Sequence, residues 1–352
     1  MGYRTEYAKL TVFTTITACG ECCTGCSKKI NGECPGCIEA DGRVPEWAQS
    51  GTCKVHACCK EHNARFCGLC SEFPCGKLPQ MISWNPEIID HLSKLRNEYI
   101  RDILQDCYVE EDLFPMIFTE YEEREYGILF YNTQNKDSYD SNHAVIYKDR
   151  IHDLPQVLKD IVEFYKANGS RPIIYQSMLD DNWFDEIKDE LTAARYKSWI
   201  EDQEYMLQSD RNRIIPNPEI EVRMVSEWNN EIENVFLEAE EPWEIMVAKK
   251  TLAYQKAWMF VAYLDGKSIG LLYGHISKRA CRVDYLIVSK KHRKTGAGRA
   301  LFYSYVEWCR QNDMGKVYIW PDGDTPKRIY EEGGFRVVEI RKAGRAVLDE
   351  TV

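Results

Sequence analysis

The chain has 352 residues, room for two or three domains, and its 44% hydrophobic and 29% charged residues are those of an ordinary folded protein. A net charge of -11 argues against a broad nucleic-acid footprint, and no apolar run approaches the ~20 residues that would span a bilayer. No Gly/Ser-rich linker or low-complexity tract interrupts the sequence, so its domains are expected to pack against one another.

Of the fifteen cysteines, all but Cys107, Cys281 and Cys309 fall between Cys19 and Cys75. C-x-x-C pairs stand at Cys19/Cys22, Cys23/Cys26, Cys34/Cys37 and Cys67/Cys70, the spacing at which two thiolates grip one tetrahedral ion. Soft thiolates select zinc or iron-sulfur clusters. A disulfide framework would need an oxidising compartment. Ile16-Thr17-Ala18-Cys19 mimics a lipobox, but the preceding apolar run is short and threonine-rich, so a strand entering a metal knuckle and a soluble, cytoplasmic protein are expected. Cys19-Gly20-x-x-Cys23-x-x-Cys26, Cys34-Pro35-Gly36-Cys37, Cys53-x4-Cys58 and the run from Cys67 through Cys70 to Cys75 together resemble a family of uncharacterised bacterial and archaeal cysteine-rich domains. The expected metal ligands are those ten cysteines, with zinc preferred to iron-sulfur. Cys22 and Cys59 are extras, and the ligand pairing stays open. His56 or His62 could replace a cysteine, although a solvent-exposed role is the simpler reading of both. This segment has little core of its own, which is where a metal staple is usually needed.

A helix from Ile88 to Gln105 is expected to close this first region, taken as residues 1–106. In the second, residues 107–217, Val162 to Asn168 parallels Val306 to Asn312, and each is followed by a β-like run, then a helix and another strand. Pro172 to Gln176, Trp183 to Ala194 and Lys197 to Gln208 are those elements in the middle region. The stretch from Tyr147 to Pro155 has no glycine and carries the acidic residues Asp149 and Asp153.

The third region, residues 218–352, holds the most informative stretch. Arg282 to Val288 is β-rich, and Leu301, Phe302, Tyr305, Val306, Trp308 and Cys309 recur at helical spacing. Between them lies Arg293-Lys294-Thr295-Gly296-Ala297-Gly298, a glycine loop feeding a helix N-terminus, where backbone N–H groups can converge on an anion. A dinucleotide fingerprint would need a small residue at Leu301, and a P-loop would need Gly-Lys-Ser/Thr where Gly298-Arg299-Ala300 stands. Lys316 to Trp320 reads as a strand. Thr325-Pro326 is expected to open a helix that Gly333-Gly334 ends, and Asp265-Gly266 is expected to join two strands as a hairpin.

The loop, the signature Ile329-Tyr330-Glu331-Glu332-Gly333-Gly334-Phe335 and the strand Glu221 to Met224 followed by a helix over Asn229 to Glu240 resemble the GNAT superfamily of N-acetyltransferases in order from about Ile220 to Arg341. Lys290 departs from that pattern where proline is usual. The expected fold is α/β (α+β), with a mixed central sheet, preceded by a degenerate acetyltransferase-like half and the small metal-stapled domain. The resemblance implies acetyl-CoA held by Leu286, Ile287, Val288, Arg293, Lys294, Thr295, Gly296, Ala297, Gly298 and Arg299. The basic residues from Lys278 to Arg299, opposed only by Asp284, suit its phosphates. It also implies direct attack by an amine, from a small molecule or a protein or peptide, with Tyr330 as acid for the thiolate and Asp284 as candidate base. Glu240 and Glu241 could bind a cationic acceptor, against the plainer reading of solvated glutamates. The rival expectation is a non-catalytic acyl-CoA sensor whose cysteine domain binds a protein partner.

Overall fold

The computed structural model describes residues 16–349 apart from 22, 24, 25, 46–48, 50, 63, 71, 137, 209–211, 313 and 315. Cys22 and most of the run leading into Cys19 therefore lie outside the described residues. Among its described residues the cysteine-rich region carries three short α-helices, α1 (Ser27–Ile30), α2 (Lys54–Glu61) and α3 (Leu78–Met81), around a small core that includes Phe66, Leu78, Ile82 and Leu92. α4 (Ile88–Leu113) begins where the sequence predicts but runs past Gln105 to Leu113. Its last turns bury Glu110, Glu111 and Asp112, whose partners lie far along the chain.

The middle region runs β1 (Glu120–Arg124), β2 (Gly127–Tyr131), β3 (Ala144–Ile146), α5 (Leu154–Ala167), β4 (Ile173–Gln176), α6 (Trp183–Glu186), α7 (Lys188–Ala193) and β5 (Tyr196–Gln208). The helix expected over Trp183 to Ala194 thus breaks at Ile187. After β6 (Glu221–Val225), α8 (Asn230–Ala239) and α9 (Glu244–Ala253), the same series recurs. It comprises β7 (Ala257–Leu264), β8 (Lys267–Ile276), β9 (Cys281–Val288), α10 (Ala297–Gln311), β10 (Val317–Ile319), α11 (Asp324–Glu332) and β11 (Phe335–Leu348). The Asn229 side chain caps α8 by accepting from Ile232 N at 3.0 Å, and Asp265 and Gly266 both adopt the positive φ of a tight hairpin turn. α11 differs from expectation: Gly323 is its N-cap, and Thr325 and Pro326 lie inside its first turn.

The strands form one sheet in the order β1-β2-β3-β4-β11-β5-β10-β9-β8-β7-β6. β3 lies parallel to β4 and β9 parallel to β10, and the remaining neighbours pair antiparallel. The last strand of each half crosses to the other: β5 pairs with β10, β11 pairs with β4, and the two long strands pair along their length at the centre. The echo in the sequence is therefore a repeated α/β unit with exchanged final strands. One core, containing Leu158, Ile161 and Tyr165, lies under α5, and another, containing Leu301, Phe302 and Tyr305, under α10. α4 seals the centre, where Leu104, Cys107 and Tyr108 pack with Tyr205 and Tyr318.

Candidate active site

β9 pairs with β8 along its length, but with β10 only at Cys281↔Val317 and Arg282↔Tyr318. The parallel pair opens beyond Arg282. Val283 to Val288, including the predicted Leu286, Ile287 and Val288, therefore border a split in the sheet. At its end Ser289 Oγ and His292 Nδ1 lie 2.7 Å apart, Thr295 Oγ1 donates to His292 O at 2.7 Å, and Asn217 Nδ2 donates to Thr295 O at 3.0 Å. These bonds fix a loop in which Lys294 (φ 68°) and Gly296 (φ 97°) are both left-handed. α10 starts at once, and no carbonyl within the helix can satisfy its first-turn N–H groups. The two glycines differ. A Cβ on Gly298, inside the first turn, would meet Ile329 Cδ1 of α11 at 3.3 Å, whereas Gly296 supplies the φ that a side chain rarely adopts.

The basic stretch is less free than its sequence suggests. Arg299 makes a two-pronged ion pair to Glu332 at 2.7 Å, Lys290 pairs with Glu240, Arg279 reaches Glu110 at 3.4 Å, and Arg282 is buried against Glu111 and Asp284. Lys291, Arg293 and Lys294 remain at the loop without an ion pair to a described residue. Glu241 accepts from Tyr285.

In the matching turn of the middle region, the Asp153 carboxylate accepts from Gln156 N at 3.1 Å and so occupies the N-terminus of α5. A carboxylate already holds the position that an anion would take.

Tyr330 is 4% exposed and packs on Phe302, with ring centroids 4.7 Å apart. Burial, then the charge of Asp322, raises its phenol further above its ordinary value, so it is protonated near neutral pH. Its hydroxyl has no hydrogen-bond partner among the described residues. Asp284, bonded to Arg282, lines a cavity of about 240 Å³ where the two halves meet. Tyr285 and Trp320, on either side of the split, line the same cavity, as do Asp140 and His143 from the middle region and Glu244 from α9. Glu244 is 8% exposed, and Tyr273 donates to its Oε1 at 2.5 Å. Burial, then the charge of Asp284, pushes the Glu244 carboxyl well above the usual carboxylate range. Sequence reasoning stops at Glu240 and Glu241 and misses Glu244 and Asp140.

A family model described as an acetyltransferase (GNAT) domain matches residues 229–347, the span that holds the split, the loop and Tyr330. The C-terminal part of this chain carries a GNAT acetyltransferase domain. A GCN5-related N-acetyltransferase from Kribbella flavida shares the fold, with a TM-score of 0.51 at 12% identity over 71% of this chain and 96% of that one. A conserved protein of unknown function from Staphylococcus epidermidis aligns with a TM-score of 0.48 at 16% identity, over 67% of this chain and 96% of the other. No curated protein matches the chain in sequence. The GNAT domain and its structural neighbours leave the cysteine-rich region unassigned.

In that region the described cysteines are free thiols. Among the described residues no group of three or more His, Cys, Asp or Glu is found that could hold a metal ion. The thiols are nevertheless sorted. Cys58, Cys67, Cys70 and Cys75 line one small cavity, together with Cys59 and His62. Burial and the neighbouring thiols of Cys23, Cys19 and Cys34 push the Cys37 thiol up to about 12. Cys59 instead donates to Ala18 O at 3.7 Å, and His56 bonds Asp41 at 3.0 Å. No described helix is long and apolar enough to cross a membrane.

Proposed function

We propose that the chain transfers an acetyl group from acetyl-CoA to a primary amine, using the C-terminal half alone. The observation that carries this reading is the opening of β9 from β10 directly ahead of the left-handed loop and α10. The exposed edge of β9 at Leu286, Ile287 and Val288 would bond the pantetheine arm, and the loop and helix start, Arg293 to Arg299, would hold the pyrophosphate. Arg299 would have to leave Glu332 to take part. Attack by the neutral amine on the thioester carbonyl would form the C–N bond and break C–S, with Tyr330 giving its proton to the thiolate and Asp284 helping to remove one from the amine. Release of free thiol from acetyl-CoA that depends on added amine tests the reading. Binding of CoA with no release across a broad panel of small amines and peptides would refute it.

The thiol groupings support a further part of this reading, a structural metal in the N-terminal region. Cys58, Cys67, Cys70 and Cys75 would hold one ion and Cys19, Cys23, Cys34 and Cys37 a second, leaving Cys26 and Cys53 of the ten pattern cysteines outside the two sets. Zinc suits four thiolates, and its binding would fasten a region whose apolar core is small. The three divisions proposed are residues 1–106, 107–217 and 218–352, with α4 spanning the first boundary.

A further inference from the structure

We propose that the cavity between the two halves is the acceptor site, shaped for a small organic ammonium ion without a carboxylate of its own, and that Glu244 takes the proton that frees the amine. This deepens the acetyltransfer reading and rests on it.

Charge accounting points to a cation. Arg282 is shared by Glu111, at 2.7 Å, and Asp284, and its guanidinium lies 3.7 Å from the centroid of the Phe114 ring. Arg345 is held by Glu201 at 3.0 Å and lies over Tyr175. Both cations in the wall are therefore committed. Two of the lining carboxylates are not: that of Asp140 makes no hydrogen bond or ion pair to a described residue, and Glu244, more than nine-tenths buried, has only its Oε1 engaged among the described residues, by Tyr273. The negative charges of Asp284 and Asp140 bear on Glu244, and that of Asp284 on Asp140, which makes ionisation of Glu244 and Asp140 costly unless a cation enters. Trp320 Nε1, also in this wall, is a buried donor without a partner among the described residues. Its indole and the Tyr285 ring offer faces to an alkyl- or arylalkylammonium.

Size and place narrow the ligand. About 240 Å³ lies below the usual range of pockets for drug-sized molecules, which fits a compact amine better than a peptide strand. Asp284 and Tyr285 belong to the part of β9 that borders the split, so an amine in the cavity stands beside the course proposed for the thioester. One ammonium proton passes to the Glu244 carboxylate, and the amine lone pair then attacks the acetyl carbon. As the C–S bond breaks, the thiolate gains a proton through Tyr330, the amide nitrogen loses its second proton, and Glu244 returns its proton to water. The balance is ammonium plus thioester giving amide, thiol and one proton.

The test uses the full chain. Calorimetric titration with CoA comes first, and absence of binding would remove the acetyltransfer reading itself. With CoA binding in hand, thiol release from acetyl-CoA is measured with 2-phenylethylamine, phenylalanine and a lysine-containing peptide. 2-Phenylethylamine should exceed the other two in kcat/KM by at least about 10-fold, because the α-carboxylate of phenylalanine would face Asp140 and Glu244. Glu244→Gln should lower kcat for the amine by about 10²-fold while CoA affinity holds. Should that variant fail to fold, Asp140→Asn, at the exposed rim, should raise KM for the amine about 5-fold, on the scale of one weakly screened ion pair. Preference for phenylalanine or the peptide, turnover of none of the three despite CoA binding, or unchanged kinetics in the variants would overturn the proposal.

Discussion

Gly296 and Gly298 share one motif but meet different physical demands. Gly296 holds φ 97°, and a Cβ there would also meet Asn217 Cβ at 3.3 Å. Gly296→Val should cost about 1–2 kcal/mol of stability through the left-handed backbone and weaken CoA binding at least about 10-fold by disturbing the turn that aims the N–H groups. Calorimetry giving an unchanged Kd would show that the loop does not cradle the cofactor. Tyr330→Phe keeps the ring on Phe302 and removes only a hydroxyl without a described partner. Melting temperature and CoA affinity should hold while kcat falls by about 10², since a thiolate is a tolerable leaving group and its acid is worth a modest factor. Asp112 offers a test by pH. Burial raises its carboxyl to about 7 from 3.8, although Ser177 and Met178 N donate to it at 2.5 and 2.9 Å. A raised folded pKa means that stability is fully present below about pH 4 and is lost as pH rises toward 7, by a few kcal/mol in order of magnitude. Asp112→Asn lacks that loss, so its melting temperature relative to wild type should climb between pH 5 and pH 8. A difference that is flat with pH would contradict the assignment.

The elements that local pattern dictates were legible, and those that distant partners dictate were not. β9, the loop and α10 follow from a β-rich run, glycines and helical spacing inside twenty-odd residues. α9 carries Ile245, Met246, Val247 and Ala248 as an unbroken apolar run with no helical period, so neither it nor Glu244 announces itself. The end of α4 looks too acidic to be buried: Glu110, Glu111 and Asp112 belong there only because His275, Arg282 and Ser177 meet them from far along the chain. The cysteine spacings announce metal chemistry, yet which thiols share a cavity depends on how α2 folds back on the turn at Cys67. Freshly purified protein should hold about two zinc ions per chain, and a strong chelator should unfold the segment from Cys19 to Cys75 while CoA binding largely survives. Elemental analysis showing neither zinc nor iron would exclude the metal reading.

At the scale of the whole molecule, one α/β unit is repeated and the final strands are exchanged, so neither half completes its sheet without the other. The repeat is visible in the sequence as parallel helix-strand runs, but the exchange of β5 and β11 is not, because pairing between them spans more than a hundred residues and leaves no local trace. The halves differ where a cofactor would bind: Gly296 opens α10, whereas Asp153 closes the N-terminus of α5 with its own carboxylate. A single cradle on a doubled frame is the central claim. Calorimetric titration of the full chain with CoA tests it most directly. One molecule should bind per chain and binding should collapse in Gly296→Val, whereas a stoichiometry near two, or binding untouched by that substitution, would contradict it.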